Sequence, residues 1–251
     1  MNPFRIFWTS GRELFDDFFL LMGVNLLWLL MVGPLFSLAL FFVSQGLFVY
    51  AILVALLNVL LFGPANVGMM QVAERITDGR VAAIATFFEG MRQHRSLSWK
   101  VYGLWMLGFI ACAANVWFYV QMAGTLGVFL TILFSYLLAI WCTLLIYLGP
   151  LILLQNTPSI RLIWRNAAIL TFGKPVFTLI TAVMMVAIIA LSFWVIVLAL
   201  LMTFSFLALW SMRSTKVLVA DAEARQNARN EEQLEQPTGE RVPRGQVRPR
   251  K

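Results

Sequence analysis

The chain alternates between long apolar tracts and short segments in which charged and polar residues crowd together. No Asp, Glu, Lys or Arg falls in residues 18–73, 101–160 or 175–212, and a helix needs only about 20 apolar residues to cross a bilayer. The first two tracts are each long enough for two spans and a turn. The third is shorter, yet as one helix at about 1.5 Å per residue it would approach 57 Å, against a hydrocarbon core of about 30 Å. Two short spans fit it better than one, although no glycine follows Pro175 within it and no turn is evident. The pattern predicts an all-α polytopic bundle of six spans, near 18–42, 47–72, 100–121, 125–154, 175–191 and 194–212, with five spans as the alternative.

The polar segments have a period of their own. Ile84, Phe87, Phe88 and Met91 follow i, i+3, i+4, i+7, while Glu89, Arg92, Gln93 and Arg95 take other positions. That is the pattern of a helix lying in the membrane interface with its apolar face down. It recurs in Phe4, Phe7, Trp8, Gly11 and in Ile160, Ile163, Trp164, Ala167. Interfacial helices are therefore predicted near 3–15, 81–95 and 159–172, each ahead of an apolar tract, as an internal repeat of one interfacial helix and one hairpin. Trp8, Phe87, Phe88, Arg92, Arg95, Trp164 and Arg165 are the predicted interfacial contacts.

If each tract is a hairpin, the N-terminus, both charged loops and the segment after residue 213 share one side. Lys and Arg outnumber Asp and Glu by 19 to 12, so the positive-inside rule makes that side the cytoplasm. Composition agrees with the class, at 61% hydrophobic and 12% charged against roughly 45–50% and 25% for soluble domains. Asp16-Asp17 precede the first apolar stretch where a signal peptide would carry basic residues, so that stretch is expected to stay as a span. Residues 214–251 read as a cytoplasmic tail, helical at first and then disordered. Its basic end, Arg241, Arg244, Arg248, Arg250 and Lys251, suits anionic lipid; no nucleic acid is expected.

Candidate chemistry is sparse. Asn25, Asn58, Asn66 and Asn115 are the strongest hydrogen-bonding groups within the tracts, and two readings stand for them: bonds between helices, or the wall of a ligand cavity. Gly33-Pro34, Gly63-Pro64 and Gly149-Pro150 are likewise kinks, or broken helices lining a substrate site. The tracts hold no Asp, Glu, Lys, Arg or His, which argues against proton coupling. Cys112 and Cys142 fall in predicted spans without a CxxC and are expected to pack. His94 stands alone, the carboxylates lie in surface segments, and no Walker loop, GxSxG or HExxH is present. The expectation is a non-enzyme without catalytic, cofactor or metal residues.

The segments "NLLWLL" at 25–30, "GPANVGMMQVAERITDGR" at 63–80 and the following "FFEGMR" resemble the YesL-like family of uncharacterised bacterial multi-span membrane proteins. The chain departs from that family by a long apolar insertion at roughly residues 35–60. The resemblance implies a bacterial plasma membrane and a role near carbohydrate uptake systems. Two functions follow as expectations: a non-catalytic accessory or scaffold partner of other membrane subunits, or a transporter or channel for a neutral solute.

Overall fold

The computed structural model describes residues 2–196 and 199–235, and every regular element among them is helical. The three amphipathic segments form α1 (Pro3–Asp16), α4 (Ile84–Gln93) and α7 (Ile160–Gly173). The first apolar tract forms α2 (Phe18–Ser44) and α3 (Phe48–Thr77), and the second forms α5 (Arg95–Val120) and α6 (Thr125–Leu154). The third begins with α8 (Pro175–Trp194) and ends in a π-helical turn (Ala199–Thr203) that leads into α9 (Phe204–Glu235). Local chemistry explains several of these boundaries. Asn2 caps α1 by accepting from the Phe4 N–H at 3.0 Å ahead of Pro3, and Ser159 caps α7 through the Leu162 N–H at 3.3 Å. The uncharged hairpin turns place Gly46 at φ 72° and Gly124 at φ 96°, where a side chain would be strained.

Among the described residues, five helices, α2, α3, α5, α6 and α8, are long and apolar enough to cross a membrane. The chain is an integral membrane protein built as an all-α bundle. The sixth expected span, 194–212, is not a through-going helix. α8 ends at Trp194, and α9 begins at Phe204, only about 13 Å of helix before the first charge at Arg213. Even so, the chain doubles back: Ser192 Oγ and Thr203 Oγ1 share a hydrogen bond of 2.6 Å. Arg213 pairs with Glu13, and Lys216 with Asp78. The third tract therefore returns to the charged end of the bundle where α1 meets α2 and α3 ends.

The internal repeat closes on itself. Each amphipathic helix packs on the second helix of the hairpin before it: α4 on α3, α7 on α6, and α1 on α9, where the Phe7 ring lies 5.4 Å from Phe206 and 5.3 Å from Trp210. The first helix of each hairpin docks on the same neighbour. Trp99 of α5 bonds to α3, Thr178 of α8 bonds to Tyr147 of α6 at 2.7 Å, and Asn25 of α2 bonds to the start of α9. The three modules thus form a ring in which the first is also the neighbour of the last. The best-buried residues gather on the charged-end halves of α3 and α6, among them Val67, Val72, Tyr147, Leu148 and Ile152. Towards the uncharged turns, Phe41, Tyr50, Phe118 and Phe129 are exposed, as hydrocarbon contact permits.

α4 departs from its expected posture. Thr86, Phe87 and Gly90 are buried against the protein, while Ile84 and Phe88 remain exposed. Two glycines explain the approach: a Cβ on Gly90 would lie 3.1 Å from the Gly68 Cα, and one on Gly68 would lie 2.5 Å from the Phe87 carbonyl oxygen. Small residues let helix backbones close in this way. Half of the apolar stripe read as membrane-facing is a helix–helix contact.

Among the described residues, those from Val217 on belong to a second unit. In it α9 runs on to Glu235, with an i,i+4 ion pair between Arg225 and Asp221 at 3.0 Å. The basic end, Arg241 to Lys251, lies outside the described residues.

Candidate functional site

Inside the bundle, several polar side chains are directed at the backbone of neighbouring helices. Asn25 is fully buried, and its Oδ1 accepts from the Phe204 N–H at 2.9 Å and the Ser205 N–H at 3.2 Å. These N–H groups lie where the π-helical turn passes into α9, so Asn25 supplies added partners at a change of helical register. With α9 starting inside the apolar interior, water is not at hand to supply them. Ser205 completes the junction by donating its hydroxyl to the Leu21 carbonyl at 2.8 Å.

The prolines follow a related logic. α2, α3 and α6 run uninterrupted through Pro34, Pro64 and Pro150, whereas the break that ends α8 at Trp194 has no proline after it before α9. A proline removes the donor for the carbonyl four residues earlier. For Pro64 that carbonyl is Leu60, and the Trp99 indole N–H donates to it at 3.0 Å. For Pro150 it is Ile146, which accepts from the Ser211 hydroxyl. The freed carbonyls have become docking points for α5 and α9.

Asn66, read from the sequence as a bond between helices or a cavity wall, donates within its own helix to Phe62 O at 2.7 Å. Asn115 does the same to Ala111 O at 2.8 Å. Asn58 reaches across to Val32 O at 3.5 Å, leaving its buried Oδ1 without a partner. The four asparagines are not brought together. Trp99, Ser205 and Ser211 are not signalled by the sequence: a proline names the acceptor it frees, but nothing local names the donor.

The charged end is laced by ion pairs. Arg75 donates to Thr86 Oγ1 at 3.1 Å and pairs with Glu89 at 2.8 Å, and Arg80 pairs with Asp78 at 2.7 Å. Lys216 donates to Asp78, to Thr77 Oγ1 at 2.7 Å and to the Glu74 carbonyl at 3.4 Å, a cation set at the C-terminus of α3. Partial burial raises the Asp78 pKa, but the hydrogen bonds from Lys216 and Arg80 outweigh it and hold the carboxyl below its ordinary value. Burial pushes His94, between α4 and α5, below the ordinary imidazole value. Arg92, Arg95 and Arg165 are exposed, with the Arg95 guanidinium 5.2 Å from the Trp99 ring centre. Trp8 is exposed, and Trp164 is half-buried against Trp141 at 5.0 Å.

A groove of about 320 Å³ lies between α1, α8 and the turn into α9. Its walls are apolar, including Phe7, Phe15, Leu191, Met202 and Phe206, and Gly11 and Arg12 border it on α1. Its volume falls at the lower end of the range for small-molecule sites, about 300–1,000 Å³. Among known proteins, the chain matches no family model, no curated protein and no solved structure.

Proposed function

We propose that the protein is a non-catalytic accessory or scaffold subunit of a bacterial plasma-membrane assembly, one serving carbohydrate uptake. The observation that carries this reading is the use made of intramembrane polarity. The Asn25 amide, the Trp99 indole and the Ser211 hydroxyl are all spent on backbone groups of neighbouring helices, which is the chemistry of holding a bundle together. The link to carbohydrate uptake rests on the YesL-like resemblance of residues 25–30 and 63–80. The orientation, with both termini in the cytoplasm, rests on the excess of Lys and Arg at the charged end. Affinity purification from the native membrane tests the role: a stoichiometric permease subunit is the expected result, and purification of the chain alone under conditions that preserve known complexes would refute it.

One observation favours a second reading. Among the described residues, the hydroxyls of Ser10, Thr181 and Ser214 and the indole N–H of Trp210 are buried without a protein partner, and a path for a neutral solute has use for such groups. A solute that raises the thermal midpoint of the wild type, and fails to do so for Thr181→Val, would make transport the better account.

A further inference from the structure

The groove between α1 and α8 has the form of a lipid site. Its walls are almost wholly apolar, and its one charged lining residue is Arg12. Arg12 is exposed and, among the described residues, makes no ion pair. Its neighbour Glu13 is held by Arg213, the first charge after the third apolar tract. That contact sets Arg12 at the depth where apolar residues give way to charged ones, which is where phosphate groups lie in a bilayer. The groove leads inward from there, past Gly11, towards Met202, Thr203 and Ser192. The space beside Gly11 is open, since a Cβ built there meets nothing within 4 Å.

We propose that this groove binds one anionic phospholipid, with an acyl chain between α1 and α8 and the phosphate on the Arg12 guanidinium. Charge complementarity selects the occupant. A guanidinium presents a planar fork that matches phosphate oxygens, while an apolar trough suits hydrocarbon and offers a soluble phosphate nothing. The proposal is independent of the accessory-subunit reading.

The test is native mass spectrometry of the full chain released from mixed phosphatidylglycerol–phosphatidylcholine nanodiscs, with thermal midpoints recorded alongside. The wild type should retain phosphatidylglycerol in preference to phosphatidylcholine. Arg12→Gln, at an exposed position, should lose about five-fold of that preference, the effect of about one surface cation on anionic lipid, and Arg12→Lys should keep most of it. Gly11→Leu should fill the trough and displace retained lipid of both headgroups with the midpoint unchanged or raised, since leucine is the better helix former. Retention by Gly11→Leu equal to the wild type, or an unchanged headgroup preference in Arg12→Gln, overturns the proposal. So does inorganic phosphate that stabilises delipidated protein as well as phosphatidylglycerol does, because the site would then be an anion site without a lipid.

Discussion

Asn25→Leu tests whether one buried amide anchors the last helix. The substitution preserves size and removes the acceptor shared by the Phe204 and Ser205 N–H groups, at 2.9 and 3.2 Å. Each lost bond is worth about 1–3 kcal/mol where the partner stays buried and unsatisfied. In membranes the measured values run nearer 0.6, reaching about 1.7, because the unfolded reference finds partners too. Two bonds to a residue with no exposed surface therefore give an expected loss of about 2 kcal/mol, or a midpoint lowered by roughly 4–8 °C for a chain of this size. The assay is thermal unfolding in one detergent, with amide exchange followed at Phe204 and Ser205, where protection should fall most. Asn115→Leu is the control. Its amide donates only to Ala111 O in the same helix, so its loss should stay under about 0.5 kcal/mol, the range of surface substitutions. Equal losses for the two variants would refute the reasoning, and so would exchange at 204–205 that does not change in Asn25→Leu.

Trp99→Phe keeps the ring but strands the Leu60 carbonyl freed by Pro64, and should cost about 1 kcal/mol with faster exchange in α3; unchanged stability would mean the carbonyl finds another donor. Gly68→Ala places a methyl 2.5 Å from the Phe87 carbonyl oxygen and should destabilise by about 1–3 kcal/mol through overpacking, whereas a neutral result would show that α4 lifts away at no cost. The Asp78 pKa is depressed in the fold, so its contribution is present above the ordinary carboxylate value and is lost as pH falls through the folded value. Stability below about pH 4 should accordingly fall less steeply in Lys216→Met than in the wild type, as read from thermal midpoints across an acid series.

The helices were legible because their cause is local. Tracts without charge and stripes at helical spacing delimit α1 to α8 almost as they fold, and the glycines at 46 and 124 sit where the turns were expected. The break after Trp194 was not legible: residues 195–203 hold neither glycine nor proline, and the Phe204 N–H at the start of α9 is met by Asn25, 179 positions earlier. A pattern read along the chain has no access to such a partner. The same limit applies to the prolines. Pro64 and Pro150 mark freed carbonyls, yet the groups that answer them, Trp99 and Ser211, are ordinary residues of other helices. The face of α4 was misread for a related reason, since the spacing of Phe87 and Phe88 is the same whether lipid or the glycine-lined face of α3 lies opposite.

The closure of the ring by α1 on α9 has a consequence in time. Glu13 and Arg213 stand 200 positions apart, and synthesis at about 5–20 residues per second separates their emergence by roughly 10–40 s. Throughout that interval Ile6, Ser10 and Leu14, buried in the finished bundle, lack the surface that covers them. α4 and α7 face no such wait, because α3 and α6 precede them. An amphipathic helix left without a protein partner settles on the bilayer surface, so α1 begins as a membrane-surface helix and becomes part of the bundle only when the last module arrives. The N-terminus is made first and assembled last, and a chain halted before residue 204 would leave the insertion machinery with α1 still on the lipid.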